Sequence, residues 1–150
     1  MYAWLAAAAL VGSGLTAGVL FSVALSIVPA FNSVPPERYV ELHRLIGRRY
    51  DRVMPPTVLT WTLLDGVLAA GTGGGVRQLF ALAGVLGCGV AAVSQFGNVP
   101  INRRVKRMAS GPVPDDWADP RPRWRVLNLV RTYLAVLGLA ANAGALALAT

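Results

Sequence analysis

One cysteine, one histidine and no charged residue before Glu37: what this 150-residue chain lacks already excludes most chemistries. A lone Cys88 cannot close an intramolecular disulfide or join a thiolate cluster. It lies between Gly87 and Gly89 in an apolar run, where it reads as a small packing residue, since a low-dielectric setting does little to stabilise a thiolate. Zinc, iron and copper sites recruit several His or Cys ligands, so one of each with scattered carboxylates predicts no metal centre. Neither a dinucleotide fingerprint nor a nucleophile elbow appears. The glycine-rich stretch 71–75 lacks the lysine and the strand–helix context of a phosphate loop and reads as a short turn. Charge is scarce as well. Only 14% of residues are charged, against about a quarter in soluble domains.

What replaces charge is apolar length. Residues 2–31 are apolar almost without interruption, longer than the ~20 residues a helix needs to cross the hydrocarbon core. A cleaved signal peptide begins with a positive region and has a shorter apolar core, so this segment reads as a retained span. Three further runs, about 57–70, 79–96 and 126–149, complete the pattern. The expected fold is therefore all-α: one domain over 1–150, an integral membrane four-helix bundle. Within it, helices are expected over about 2–31, 56–70, 78–96 and 123–148, with a polar loop over 110–122. In the first helix, Gly12, Ser13, Gly14, Ala17 and Gly18 form a small-residue face, within which Gly14 and Gly18 make a G-x-x-x-G pair suited to close helix contact.

The net charge of +7 is distributed as in a membrane protein, not as a nucleic-acid-binding face. The first loop holds Arg38, Arg44, Arg48, Arg49 and Arg52. The third loop and its junction with the last helix hold Arg103, Arg104, Lys106, Arg107, Arg121, Arg123 and Arg125, whereas the second holds only Arg77. Excess arginine and lysine marks the cytoplasmic side. Loops 1 and 3 are therefore expected in the cytoplasm and both termini outside, in a multi-pass protein of the cell membrane whose partner is the bilayer. In residues 36–52, Tyr39, Leu42, His43 and Ile46 recur at helical spacing, and Tyr50 extends that face. This pattern predicts a short amphipathic helix at the interface between helices 1 and 2, stopped before Met54-Pro55-Pro56.

Polar groups inside a bilayer are costly, so each one is a functional candidate by default. His43 is the one side chain ready to act as acid or base near neutral pH, unless it merely bonds a headgroup or Glu41. Asn98 and Asn102 flank Pro100 at the exit of helix 3 and either cap helix ends or offer donors to a substrate oxygen. Trp124, Asn128 and Arg131 share one face of helix 4. The Arg131 charge needs Asp65, an anionic substrate or a snorkelling route to headgroups. Trp124 serves as a stacking platform or as an interface-belt residue. Asp65 lies toward the other end of helix 2, where a direct catalytic part is not expected.

The order Ile27-Val28-Pro29-Ala30-Phe31, His43…Tyr50-Asp51…Met54-Pro55-Pro56, Asn98-Val99-Pro100-Ile101-Asn102 and Trp124…Asn128…Arg131-Thr132 resembles the anthrone oxygenase-like family of membrane proteins, over nearly the whole chain. That resemblance implies a cofactor-independent oxygenase with O2 as co-substrate, oxidising a small hydrophobic anthrone-like polyketide to a quinone. It further implies His43 as base, Asn98 and Asn102 as oxygen-binding donors and Arg131 as counter-charge, with Tyr50, Trp124 and Asn128 lining the substrate. A non-oxidative cyclase or isomerase, and a lipid- or partner-binding protein without catalysis, remain the alternatives. The oligomeric state is not legible.

Overall fold

A computed structural model describes residues 2–108, 113–114 and 116–149. Among them every regular element is helical, and four helical rods are long and apolar enough to cross a membrane. The first rod is α1 (Tyr2–Ser22), a π turn (Val23–Ile27) and α2 (Val28–Asn32). The second is α3 (Pro36–Gly71), and the third is α4 (Gly74–Val93), a π turn (Ser94–Asn98) and α5 (Val99–Arg107). The fourth is α6 (Arg121–Ala149). Contacts run α1 to α3, α3 to α4, α4 to α6 and α6 to α1, which closes a four-sided bundle. Of the expected polar loop over 110–122, residues 110–112 and 115 lie outside the described residues; 113–114 and 116–120 are non-helical.

Two boundaries differ from expectation, both beside prolines. The amphipathic segment does not stop before Pro55-Pro56; it forms the first half of α3. Consecutive prolines remove two backbone donors, yet one α-helix runs through both of them. At about 1.5 Å per residue α3 is ~54 Å long, well beyond the ~30 Å hydrocarbon core. Its apolar face is not spent on the interface. Tyr39, Val40 and His43 are buried against Val28, Phe31, Ile101, Val105 and Trp124 of the neighbouring rods.

Helix 3 likewise continues past residue 96 to Arg107, placing the basic run on a helix. A proline ring in a regular α-helix collides with the carbonyl four residues back. Ahead of Pro100 the chain widens into a π turn, closed by Val99 N–H to Ser94 O. The same device precedes Pro29, where Val28 N–H bonds Val23 O. Single π turns of this kind often sit at functional sites. Here both lie beside one cavity, described below.

Midway along the bundle Trp61 is fully buried, and its indole N–H donates to Thr16 Oγ1 at 3.1 Å. Glycines on three other helices make room for it. A Cβ on Gly12 would meet Trp61 Cβ at 2.9 Å; one on Gly87 would meet the ring at 2.8 Å and Thr62 Oγ1 at 2.2 Å; one on Gly138 would meet the ring at 3.2 Å. The expected small-residue face is used at Gly12 and not at the Gly14/Gly18 pair: a Cβ on Gly14 would meet only Leu139, at 3.7 Å, and one on Gly18 nothing within 4 Å. Cys88 also departs from expectation, for it is exposed on the outer surface. Gly87→Ala is expected to lower stability by about 1–3 kcal/mol, the usual range for overpacking. Thermal unfolding in detergent measures it, with Gly18→Ala as the silent control.

Candidate active site

Below Trp61, at the basic end of the bundle, all four rods part around a cavity of about 440 Å³. Its wall is mostly apolar, with Val19, Leu20, Val23, Ile27 and Phe31 from the first rod, Ile46, Met54, Val58 and Leu59 from α3, and Val90 from α4. His43, Tyr50, Asn98, Asn102, Trp124, Asn128 and Arg131 all line it. The structure thus gathers every residue singled out above, Asp65 excepted. Tyr50 is 38% exposed and stands at the mouth. Leu59 and Phe96 line the cavity while also facing outward, Phe96 being 80% exposed, so the cavity reaches the apolar surface between α3 and the second π turn. A smaller space of about 220 Å³ adjoins it through Asp51, Gln95, Val99 and Asn102, where Lys106 pairs with Asp51.

Asn102 orders the aromatic corner. Its Oδ1 accepts from Trp124 Nε1 at 3.1 Å and lies 3.1 Å from His43 Nε2. Indole nitrogen can only donate, which fixes the amide with its oxygen toward both rings. An acceptor oxygen then requires the proton on His43 Nε2, leaving the Nδ1 lone pair free in the neutral ring. Nδ1 is buried and has no protein partner. The ring is wedged among Phe31, Tyr39 and Trp124, with centroids 5.6, 5.4 and 5.7 Å away. Trp124 is accordingly a buried wall of the site and not an interface-belt residue. The Asn102 carbonyl is thus committed to His43 and Trp124 and does not cap a helix end.

Asn98 is the opposite case. It is 1% exposed, ends the second π turn, and neither its Nδ2 nor its Oδ1 has a partner. Arg131 extends from α6 to Asn128 Oδ1 at 2.9 Å and to Ser94 Oγ at 3.3 Å. Ser94 donates its own proton to Val90 O at 2.7 Å, so its lone pair is oriented to receive the guanidinium. Arg131 Nε and Asn128 Nδ2 remain buried and unpartnered. Asp65 is not the counter-ion. It contacts Asn142 near the other end of the bundle, and no ion pair among the described residues includes Arg131. Buried polar groups are nearly always satisfied in folded proteins. On this one cavity stand a guanidinium in no ion pair among the described residues, with the Asp51 carboxyl as its nearest electrostatic partner, an amide with no partner at either end and an imidazole with a bare lone pair, groups that a polar ligand would satisfy.

Sequence reasoning did not single out Ser94, and it gave Phe31 only as the end of the first span's motif, with no part in the site. Ser94-Gln95 breaks an otherwise apolar run, and that break was the available signal for the π turn that holds Arg131.

A second anchor steadies the mouth. Arg121 Nη1 donates to Phe31 O at 3.0 Å and Val34 O at 2.9 Å, closing the end of α2, and its guanidinium covers the Tyr39 ring at 5.4 Å. Asp119 pairs with Arg121 at 2.6 Å. Burial alone would raise the Asp119 carboxyl, but the hydrogen bonds from Arg121 outweigh it and hold the group below its ordinary range.

No curated protein and no solved structure matches this chain. The profile of one family, described as anthrone oxygenase, matches residues 43–141, from the histidine of the cavity through the helix that carries Arg131. The chain belongs to the anthrone oxygenase family.

Proposed function

We propose that the protein oxidises an anthrone-like polycyclic aromatic ketone to the corresponding quinone with molecular oxygen, without a resident cofactor. The observation that carries this reading is the convergence of His43 Nδ1, the Asn98 amide and Arg131, whose Nε has no partner, on one largely apolar cavity. Its volume lies within the range of about 300–1,000 Å³ typical of small-molecule sites.

The chemistry asks little more of the protein. The anthrone methylene is acidic because its carbanion is delocalised over the fused rings and the carbonyl oxygen. His43 Nδ1 takes that proton, and the charge moves onto oxygen, where Asn98 Nδ2 and Arg131 stabilise it. The electron-rich anion passes an electron to oxygen, recombination forms a carbon–oxygen bond as a peroxide anion, and the proton held by His43 returns to it to give the substrate hydroperoxide. Loss of the remaining methylene hydrogen as a proton, with cleavage of the O–O bond, gives the quinone and water. Anthrone plus O2 becomes anthraquinone plus H2O, so no external reductant enters.

Tyr50 and Trp124 would hold the rings, and Asn128 would steady Arg131. The outward gap at Leu59 and Phe96 would admit a substrate dissolved in the bilayer. Loops 1 and 3, rich in arginine, would face the cytoplasm with both termini outside.

Purified protein in lipid nanodiscs should consume oxygen and form quinone from a synthetic anthrone in equal amounts, at a rate unchanged by chelators. Exchange of the methylene hydrogen with solvent, without oxygen uptake, would instead move the protein to the isomerase or cyclase reading. Activity lost on metal removal and restored by one metal would reject the cofactor-free mechanism.

A further inference from the structure

On the far side of Trp61 from the cavity, a second buried polar cluster has no part in the proposed chemistry. Ser13, Asp65 and Asn142 come from α1, α3 and α6 and are at most 1% exposed. Ser13 donates to Leu10 O at 3.0 Å, so toward its neighbours it is an acceptor. Asn142 Nδ2 donates to Ser13 Oγ at 3.3 Å and to Asp65 Oδ2 at 3.3 Å. Turning the amide over would set its oxygen against Ser13 Oγ, whose hydrogen is already given to Leu10 O, so the nitrogen faces Ser13 and Asp65 and both its hydrogens are spent.

Two oxygens are left over, Asp65 Oδ1 and Asn142 Oδ1, both buried and neither with a donor. They belong to two planar groups already joined by one N–H···O bond. No ion pair among the described residues includes Asp65. An isolated carboxylate inside a membrane-spanning bundle is among the most expensive groups a fold can carry. One hydrogen removes both the charge and the two orphaned acceptors.

We propose that Asp65 and Asn142 form a proton-binding site, with the carboxyl held as the neutral acid and its Oδ1–H donated to Asn142 Oδ1. Acid and amide then exchange two hydrogen bonds across the α3–α6 gap. The site fastens the half of the bundle that the ligand cavity does not, and it stands whether or not the oxygenase reading does.

Infrared spectroscopy of protein carrying carboxyl-13C aspartate, in nanodiscs at neutral pH, tests this directly. A protonated carboxylic acid carbonyl band that moves with the isotope is expected, and it should vanish in Asp65→Asn. Absence of that band from the wild type overturns the proposal even if no variant folds, and so does its persistence in Asp65→Asn.

Thermal unfolding supplies a second readout. Asp65→Asn places an amide N–H where the acid O–H stood, so its midpoint should match wild type, whereas Asp65→Leu should unfold earlier. A sodium-specific rise in the wild-type midpoint over choline, lost in Asp65→Asn, would show a metal cation in place of the proton and overturn the assignment.

Discussion

His43→Ala is expected to slow anthrone oxidation by ~10²–10⁴-fold, the usual contribution of a positioned general base. Alanine also leaves a hole among Phe31, Tyr39 and Trp124 and strands Asn102 Oδ1, so rate loss alone could reflect a collapsed corner. His43→Gln separates the two effects. A glutamine amide can still donate to Asn102 Oδ1 but offers no base, so it should hold the corner while losing the same factor in turnover. Oxygen uptake with a synthetic anthrone measures both variants, and thermal unfolding reports the corner. Near-wild-type turnover in His43→Gln would remove His43 as the base. Asn102→Ala should slow the reaction through His43, by freeing its tautomer and orientation, while leaving oxygen consumption coupled to quinone formation.

How far the sequence carried this picture depends on which forces are visible in one dimension. Membrane crossing is set by apolar length, and so the four spans were legible from runs such as 2–31 and 79–96. The grouping of His43, Asn98, Asn102, Asn128 and Arg131 followed from topology, since antiparallel spans bring alternate ends together. Proline misled at Pro55-Pro56, where it was taken to stop a helix that in fact runs on, and helix 3 likewise continues past its expected end, a wider turn before Pro100 absorbing the lost hydrogen bond.

Partners were harder still. Arg131 and Asp65 looked like a possible pair by charge, yet they lie on opposite sides of Trp61, and each meets an asparagine instead. Which glycine admits a neighbour depends on helix rotation and on where a large ring falls. Hence Gly12, Gly87 and Gly138 cradle Trp61 while Gly18 faces nothing. The Asn102 bridge spans 59 residues to His43 and 22 to Trp124, a relation no local pattern encodes.

Asn98 gives the sharpest separation of function from stability. Both ends of its amide are buried without a protein partner, a burden the folded chain carries for nothing unless a ligand meets it. Replacing it by leucine, of similar size and without polar atoms, should therefore leave the unfolding midpoint unchanged or raise it. Turnover should fall by ~10²–10³-fold, the loss seen when one oxyanion donor is removed from a preorganised site. The loss should appear in kcat more than in KM, because the charge on the substrate oxygen develops only as His43 takes the proton. A variant that is both destabilised and fully active would mean the opposite. Asn98 would then be satisfied within the protein, and the donor facing the developing charge would have to be Arg131 Nε or Asn128 Nδ2, the two remaining unpartnered N–H groups on the cavity that lie on α6.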